Sequence, residues 1–235
     1  MFVSSFHYKP VGDCAVLVEC GDQISEKINR RVMGLYHQVM AADLPGVTEA
    51  VPTFASLLLR YDPLIADSKT LIAALKKLAR NGNKNGSKQS AERVVEIPVC
   101  YGGMYGEDLP FVARHANLTP QQVIALHSGR DYRIYMLGFL PGFPYLGGLD
   151  KRLHTPRMDN PRTRIPAGSV GIGGEQTGVY SMQSPGGWRL IGRTPLCLFR
   201  PEDNGALPYE AGDSIRFVPI DEETFLHMQN GQKAR

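Results

Sequence analysis

The sequence predicts an α+β protein in two parts, a small α/β sandwich followed by an antiparallel β-barrel. Three observations carry this. The first 80 residues alternate strand and helix signals. Residues 81–92 are almost entirely polar and rich in glycine and asparagine. From Gly138 to Pro195 there are 12 glycines and 7 prolines in 58 residues, too many for long helices but compatible with short strands joined by tight turns.

In the first part, residues 15–19 are a short apolar run between Gly12-Asp13 and Gly21-Asp22. Residues 23–42 place Ile24, Ile28, Val32, Leu35 and Val39 at helical spacing. Pro45-Gly46 breaks the chain. Residues 47–51 and 56–61 then read as strands, with Leu57, Leu58 and Leu59 as a buried run. Residues 67–80 carry Leu71, Leu75 and Leu78 and read as a second helix. Strand, helix, two strands, helix is the order of a ferredoxin-like sandwich. This assigns domain 1 to residues 1–80, with 81–92 as a mobile linker.

The second domain, residues 93–235, opens with a strand over 93–101 and a short helix over 108–116. Thr119, Pro120 and Gln122 have the form of an N-cap, an N1 proline and a capping box for a helix ending near His127. Apolar runs at 170–172, 179–182, 188–191, 196–199 and 215–220 are expected to be the barrel strands. Asp221 is placed to cap a last helix over 222–229.

Composition excludes several classes. Hydrophobic residues make up 43% and charged residues 21%, ordinary for a globular chain, and the net charge of +3 gives no polycationic face for nucleic acid. No apolar run reaches the roughly 18 residues of a membrane span, and the N-terminus lacks a secretory pattern, so a cytoplasmic location is expected. The four cysteines form no C-x-x-C pair and are read as buried, reduced thiols. No phosphate-binding loop, nucleophile elbow or metal-ligand spacing is present, so no metal is expected. Gly171-Ile172-Gly173-Gly174 resembles a dinucleotide fingerprint but lacks its third glycine and its helix.

Three segments remain for function. GFLPGFPYLGG (138–148) sets Phe139, Gly142, Phe143 and Tyr145 in a proline-stiffened loop suited to a ligand or partner. KRLHTPRMDNPRTR (151–164) presents Arg157, Arg162 and Arg164, of which Arg164 at the barrel entry is the expected carboxylate fork. IPAGSVGIGGEQTGVYSMQSPGGW (165–188) offers Gln176, Thr177 and Tyr180, neutral groups suited to an amide or lactam, and ends on Trp188, a core or interface residue. His127 is the candidate acid/base. Four of these side chains, His127, Arg164, Gln176 and Tyr180, are expected at one cleft at the barrel mouth.

Taken together, IPVCYGG (97–103), YMLGFLPGFPYLGG (135–148), IPAGSVGIG (165–173), QTGVY (176–180) and SPGGW (184–188) resemble a family with three kinds of member. These are the B subunit of 5-oxoprolinase, the sporulation kinase inhibitor of bacilli and allophanate hydrolase subunit 1. The resemblance implies a cyclophilin-like barrel for the second domain. It implies a component of a hydrolase, inactive alone, that works with the A and C subunits to open 5-oxoproline to glutamate using ATP. The alternatives it carries are an inhibitor that binds a sensor histidine kinase, or a component of a urea- or allophanate-processing enzyme.

Overall fold

The computed structural model of the chain describes residues 6–82, 93–203 and 206–233. Residues 1–91 and 92–235 form two compact units. In the first, the order is β1 (His7–Val11), β2 (Ala15–Glu19), α1 (Glu26–Ala42), β3 (Val47–Pro52), β4 (Ser56–Tyr61) and α2 (Ser68–Gly82). The sheet runs β1-β2-β4-β3, every neighbour antiparallel. Strands β2 and β3 therefore run parallel with β4 between them, the split βαβ of a ferredoxin-like sandwich. Val16, Val18, Leu57 and Leu59 on one face of the sheet pack with Val32, Leu35 and Val39 of α1 and Leu71 and Leu75 of α2. Ser25 caps α1 by accepting from the Ile28 N–H, and Asp67 caps α2 through the Thr70 N–H.

Two details differ from expectation. The outer strand beside β2 comes from the N-terminal hairpin, a strand the pattern does not announce because HYKPV has almost no buried face. Asn81 and Gly82, expected in the linker, close α2. The rest of the expected linker lies outside the described residues.

The second unit contains β5 (Val94–Tyr101), α3 (Leu109–His115), α4 (Pro120–Ser128), β6 (Asp131–Leu137), β7 (Pro144–Leu146), β8 (Arg162–Ile165), β9 (Ser169–Gly173), β10 (Gln176–Val179), β11 (Ser184–Gly186), β12 (Arg189–Arg193), β13 (Ser214–Ile220) and α5 (Glu222–Lys233). Seven strands close a barrel in the order β10-β7-β6-β13-β5-β12-β9. A separate ribbon pairs β8 with β11. The barrel is mixed rather than purely antiparallel, because β13 pairs with β5 in parallel from Ser214↔Val94 to Ile220↔Cys100. These strands are the first and last of the barrel, so the whole domain serves as the long connection that a parallel pair requires. Residues 196–199 form no strand, although their composition suits one. Cys20 and Cys100 are buried, but Cys14 and Cys197 are exposed, against the reading of all four as buried. Burial pushes the Cys20 thiol up to about 11, which keeps it protonated and unreactive.

Helix α4 carries the expected capping box: Thr119 accepts from the Gln122 N–H while Gln122 accepts from the Thr119 N–H. Val123 and His127, one turn apart, form its buried face. His127 is wholly buried and stacks on Phe217 at 4.7 Å between centroids. Its hydrogen bonds fix its tautomer. The Thr177 hydroxyl donates its one proton to the Gly171 carbonyl (3.0 Å), so at 2.8 Å it must accept from His127 Nε2–H. Nδ1 is then the acceptor for the Tyr101 hydroxyl, also at 2.8 Å. Tyr132 donates to the His127 carbonyl at 2.7 Å. The neutral imidazole is thus a crosslink between β5, α4 and β10. Desolvation, helped by the charge of Arg130, pushes its pKa down to about 3.

His127 has a depressed folded-state pKa, so its contribution is whole above the ordinary value of 6.5 and is lost as pH falls toward 3. Below pH 6 the unfolding equilibrium should shift toward the unfolded state by roughly tenfold per pH unit from this group alone. Urea titrations between pH 7 and pH 4.5 should show a steeper loss for the wild type than for His127→Gln. Equal slopes would contradict the neutral crosslink.

Candidate functional site

The loop between β6 and β7, the ribbon strand β11 and the segment before β8 enclose a cleft on the barrel domain. Its volume is about 320 Å³, and Phe139, Phe143, Tyr145, Tyr180 and Trp188 form its walls together with Arg157. Pro161, Pro185, Gly186 and Gly187 complete the rim. Phe143 is the central ring. It meets Phe139 at 5.6 Å, Tyr145 at 5.2 Å, Tyr180 at 5.3 Å and Trp188 at 5.5 Å, each edge-to-face. Such pairs add about 0.5–1.5 kcal/mol each beyond area burial. Phe139 is the exception to this packed order: it is 62% exposed and its backbone sits at φ 62°. A bulky residue in the left-handed region is strained, and such strain is concentrated at functional loops.

The glycines that resemble a dinucleotide fingerprint have another use here. A Cβ on Gly173 would stand 2.4 Å from Cδ1 and Nε1 of Trp188, and one on Gly178 would stand 3.2 Å from its Cζ3. Strands β9 and β10 are stripped of side chains on this face so that the indole can lie against them. Gly186 has the same relation to Tyr180, whose phenol oxygen would be 2.6 Å from an added Cβ. A side chain there would cover the hydroxyl. Burial raises the Tyr180 pKa to about 12, partly offset by a backbone hydrogen bond from Trp188, so the phenol keeps its proton.

The remaining scaffold is electrostatic. Asp108, buried at the start of α3, accepts from the Leu190 N–H at 2.7 Å and from Arg162 Nη2 at 3.1 Å. Arg162 also meets Glu107 at 2.9 Å. Because Arg162 begins β8 and pairs with Gly186 of β11, this network ties the ribbon that walls the cleft to barrel strand β12. Asp108 carries no obvious motif, and only its contacts across 54 and 82 residues reveal it.

The expected site residues separate into two groups. Phe139, Phe143, Tyr145, Tyr180 and Trp188 converge on the cleft. Gly142 shapes the loop instead, at φ 76°, with its carbonyl accepting from Tyr209 at 2.7 Å. His127 and Thr177 lie in the barrel core, bonded to each other and both without exposed surface, so neither can meet a substrate. Gln176 sits half-buried at the start of β10, opposite Gly173, and does not line the cleft. Arg164 is exposed on β8, outside the cleft lining, and its Nε donates to Gln183 at 2.8 Å. The four side chains expected at one mouth are therefore not together; only Tyr180 is there. Arg157 supplies the guanidinium expected of Arg164, its Cζ 5.8 Å from the Trp188 ring centre. Among the described residues no group of three or more His, Cys, Asp or Glu could hold a metal ion.

Gly173→Ala tests this packing. The methyl group must displace the indole, lowering stability by about 1–3 kcal/mol, as overpacking does. Trp188 is the chain's one tryptophan, so its emission should shift to the red as the ring is pushed toward solvent. Unchanged melting temperature and emission would contradict the contact.

Comparison with known proteins agrees with this architecture. The family model of the carboxyltransferase domain, subdomain C and D, matches residues 6–208. The 5-oxoprolinase B subunit of Bacillus subtilis (strain 168) is 42% identical over 229 residues, 94% of this chain and 95% of that protein. The 5-oxoprolinase B subunit of Escherichia coli O157:H7 is 43% identical over 211 residues, 89% of this chain and 94% of that protein. A crystal structure of TTHA0988 superposes with a TM-score of 0.78 at 38% identity, covering 89% of this chain and 40% of the other, so the chain spans about two-fifths of that protein. The chain belongs to the carboxyltransferase C and D subdomain family, the family it shares with these 5-oxoprolinase B subunits.

Proposed function

We propose that this protein is the B subunit of a 5-oxoprolinase that opens 5-oxoproline to glutamate with ATP, and that it works as a partner-dependent half-site in the cytoplasm. The observation that carries the reading is identity above 40% to two 5-oxoprolinase B subunits along almost the full length of both chains. It is preferred on that ground to the histidine-kinase inhibitor and the component of a urea- or allophanate-processing enzyme.

The cleft supports a role in binding and orientation. Its walls are largely aromatic, its phenols are Tyr145 and Tyr180, the latter held protonated, and its cation is Arg157. Among the described residues no carboxylate or imidazole lines it to move a proton. A general acid or base for ring opening therefore has to come from a partner. The cleft also does not fit ATP: one guanidinium and five aromatic rings offer neither a phosphate cradle nor carboxylates for a magnesium ion. ATP therefore belongs to the A or C subunits. The exposed, strained Phe139 at the rim is the side chain placed to meet a partner that closes the cleft.

The test is reconstitution. The purified chain with ATP and 5-oxoproline should form no glutamate above blank, and adding the A and C subunits should restore turnover. Glutamate formation by the lone chain would overturn the half-site reading, and a complete A–B–C mixture without turnover would overturn the 5-oxoprolinase reading.

A further inference from the structure

Arg157 is the one cleft residue whose charge is not already used. Arg162, whose strand pairs with Gly186 of the cleft rim, is held by Glu107 at 2.9 Å and by Asp108 at 3.0 Å. Arg157 makes no ion pair and no hydrogen bond among the described residues; its guanidinium faces the ring of Trp188. Yet its backbone is fixed on both sides. Thr155 and Gly174 exchange backbone hydrogen bonds at 3.1 and 2.8 Å, and the Met158 N–H donates to the Gly187 carbonyl at 2.7 Å. The segment is thus stitched to Gly174, just after β9, and to Gly187, next to Trp188, and Pro156 stiffens it. Arg157 is exposed, and a guanidinium over an aromatic floor without a carboxylate partner is free to meet an anion.

The rest of the cleft narrows the class of anion. The volume of about 320 Å³ suits a small molecule rather than a chain of nucleotides. Trp188 and Phe143 offer flat apolar contact for a ring, and Tyr180 offers a proton donor for a carbonyl. Among the described residues no acidic side chain lines the cleft to hold a cation.

Resting on the 5-oxoprolinase reading, we propose that the cleft takes a small ring acid with its ring against Trp188 and Phe143, its carboxylate on Arg157 and its ring carbonyl toward Tyr180. Arg157, not Arg164, is then the residue that selects the acid over the neutral ring. Hydrogen bonds between charged groups predict a discrimination of about ten- to a hundredfold.

Trp188 is the chain's one tryptophan, so 5-fluorotryptophan incorporated into this chain gives a single ¹⁹F resonance at the cleft wall, readable alone or in the complex with the A and C subunits. Titration with 5-oxoproline should move it saturably. 2-Pyrrolidinone, the same lactam without the carboxylate, should bind at least tenfold more weakly. Arg157→Gln should erase that difference, Arg157→Lys should keep part of it, and Arg164→Gln should leave it as in the wild type. Equal affinity for acid and neutral lactam, wild-type affinity in Arg157→Gln, or a resonance that moves in neither the lone chain nor the complex would each overturn the proposal. Turnover by a complex whose Trp188 resonance stays still would sink this site and leave the enzyme assignment standing. Binding without turnover by the complete mixture would do the reverse.

Discussion

One ring organises the candidate site. Phe143 is buried and sets its edge or face against four other aromatic rings: Phe139 of its own loop, Tyr145 of β7, Tyr180 just after β10 and Trp188 just before β12. Phe143 and Trp188 are 45 residues apart in sequence, so their contact fixes the β6–β7 loop to the opposite wall. The glycines of β9 and β10 are the other half of this constraint. They remove side-chain volume where the indole lies, and so turn a stretch of barrel into a flat floor. The apolar cleft follows from these two choices, and the Asp108–Arg162 pair then holds the ribbon that completes it. A buried carboxylate bonded to a backbone N–H and a guanidinium gives little net stability over an apolar packing, but it fixes which strand lies where.

Polar chemistry is divided between two places. Inside the barrel, His127, Tyr101 and Thr177 form a chain in which every proton has one destination, the Gly171 carbonyl being the last. Such a network favours one arrangement of α4 over the barrel. At the cleft, the polar side chains among the described residues are few: two phenols and one guanidinium. The domain therefore presents a surface shaped for binding, with little at that surface, among the described residues, with which to transfer protons. That division is what a half-site would have.

Local rules in the sequence are readable where a few neighbouring residues decide the outcome. Thr119, Pro120 and Gln122 announce the start of α4, and Leu57–Leu59 announce β4, because caps and buried runs act over one turn or one strand. Strand β1 is hidden by its exposure, since Pro10 and Lys9 give HYKPV no apolar alternation. Residues 196–199 mislead because strand composition does not supply a pairing partner. The burial of His127 has a local signal: it lies four residues after Val123, on the same helix face, which argues against a solvent-facing acid/base. The aromatic loop stands out by its composition, which depends on no long-range fact. Composition does not separate Arg157 from Arg164, because what distinguishes them is the pairing of Thr155 with Gly174 and of Met158 with Gly187. The parallel β5–β13 pair joins the two ends of the domain and has no local signal.

The central claim is that this aromatic cleft is the face a partner closes. Amide hydrogen exchange of the chain alone, compared with the same chain mixed with the A and C subunits proposed as its partners, tests it most directly. Slowed exchange in the loop 138–145 and in residues 185–188 is the expected result. Slowed exchange confined to other surfaces, with both of these segments unchanged, would contradict it.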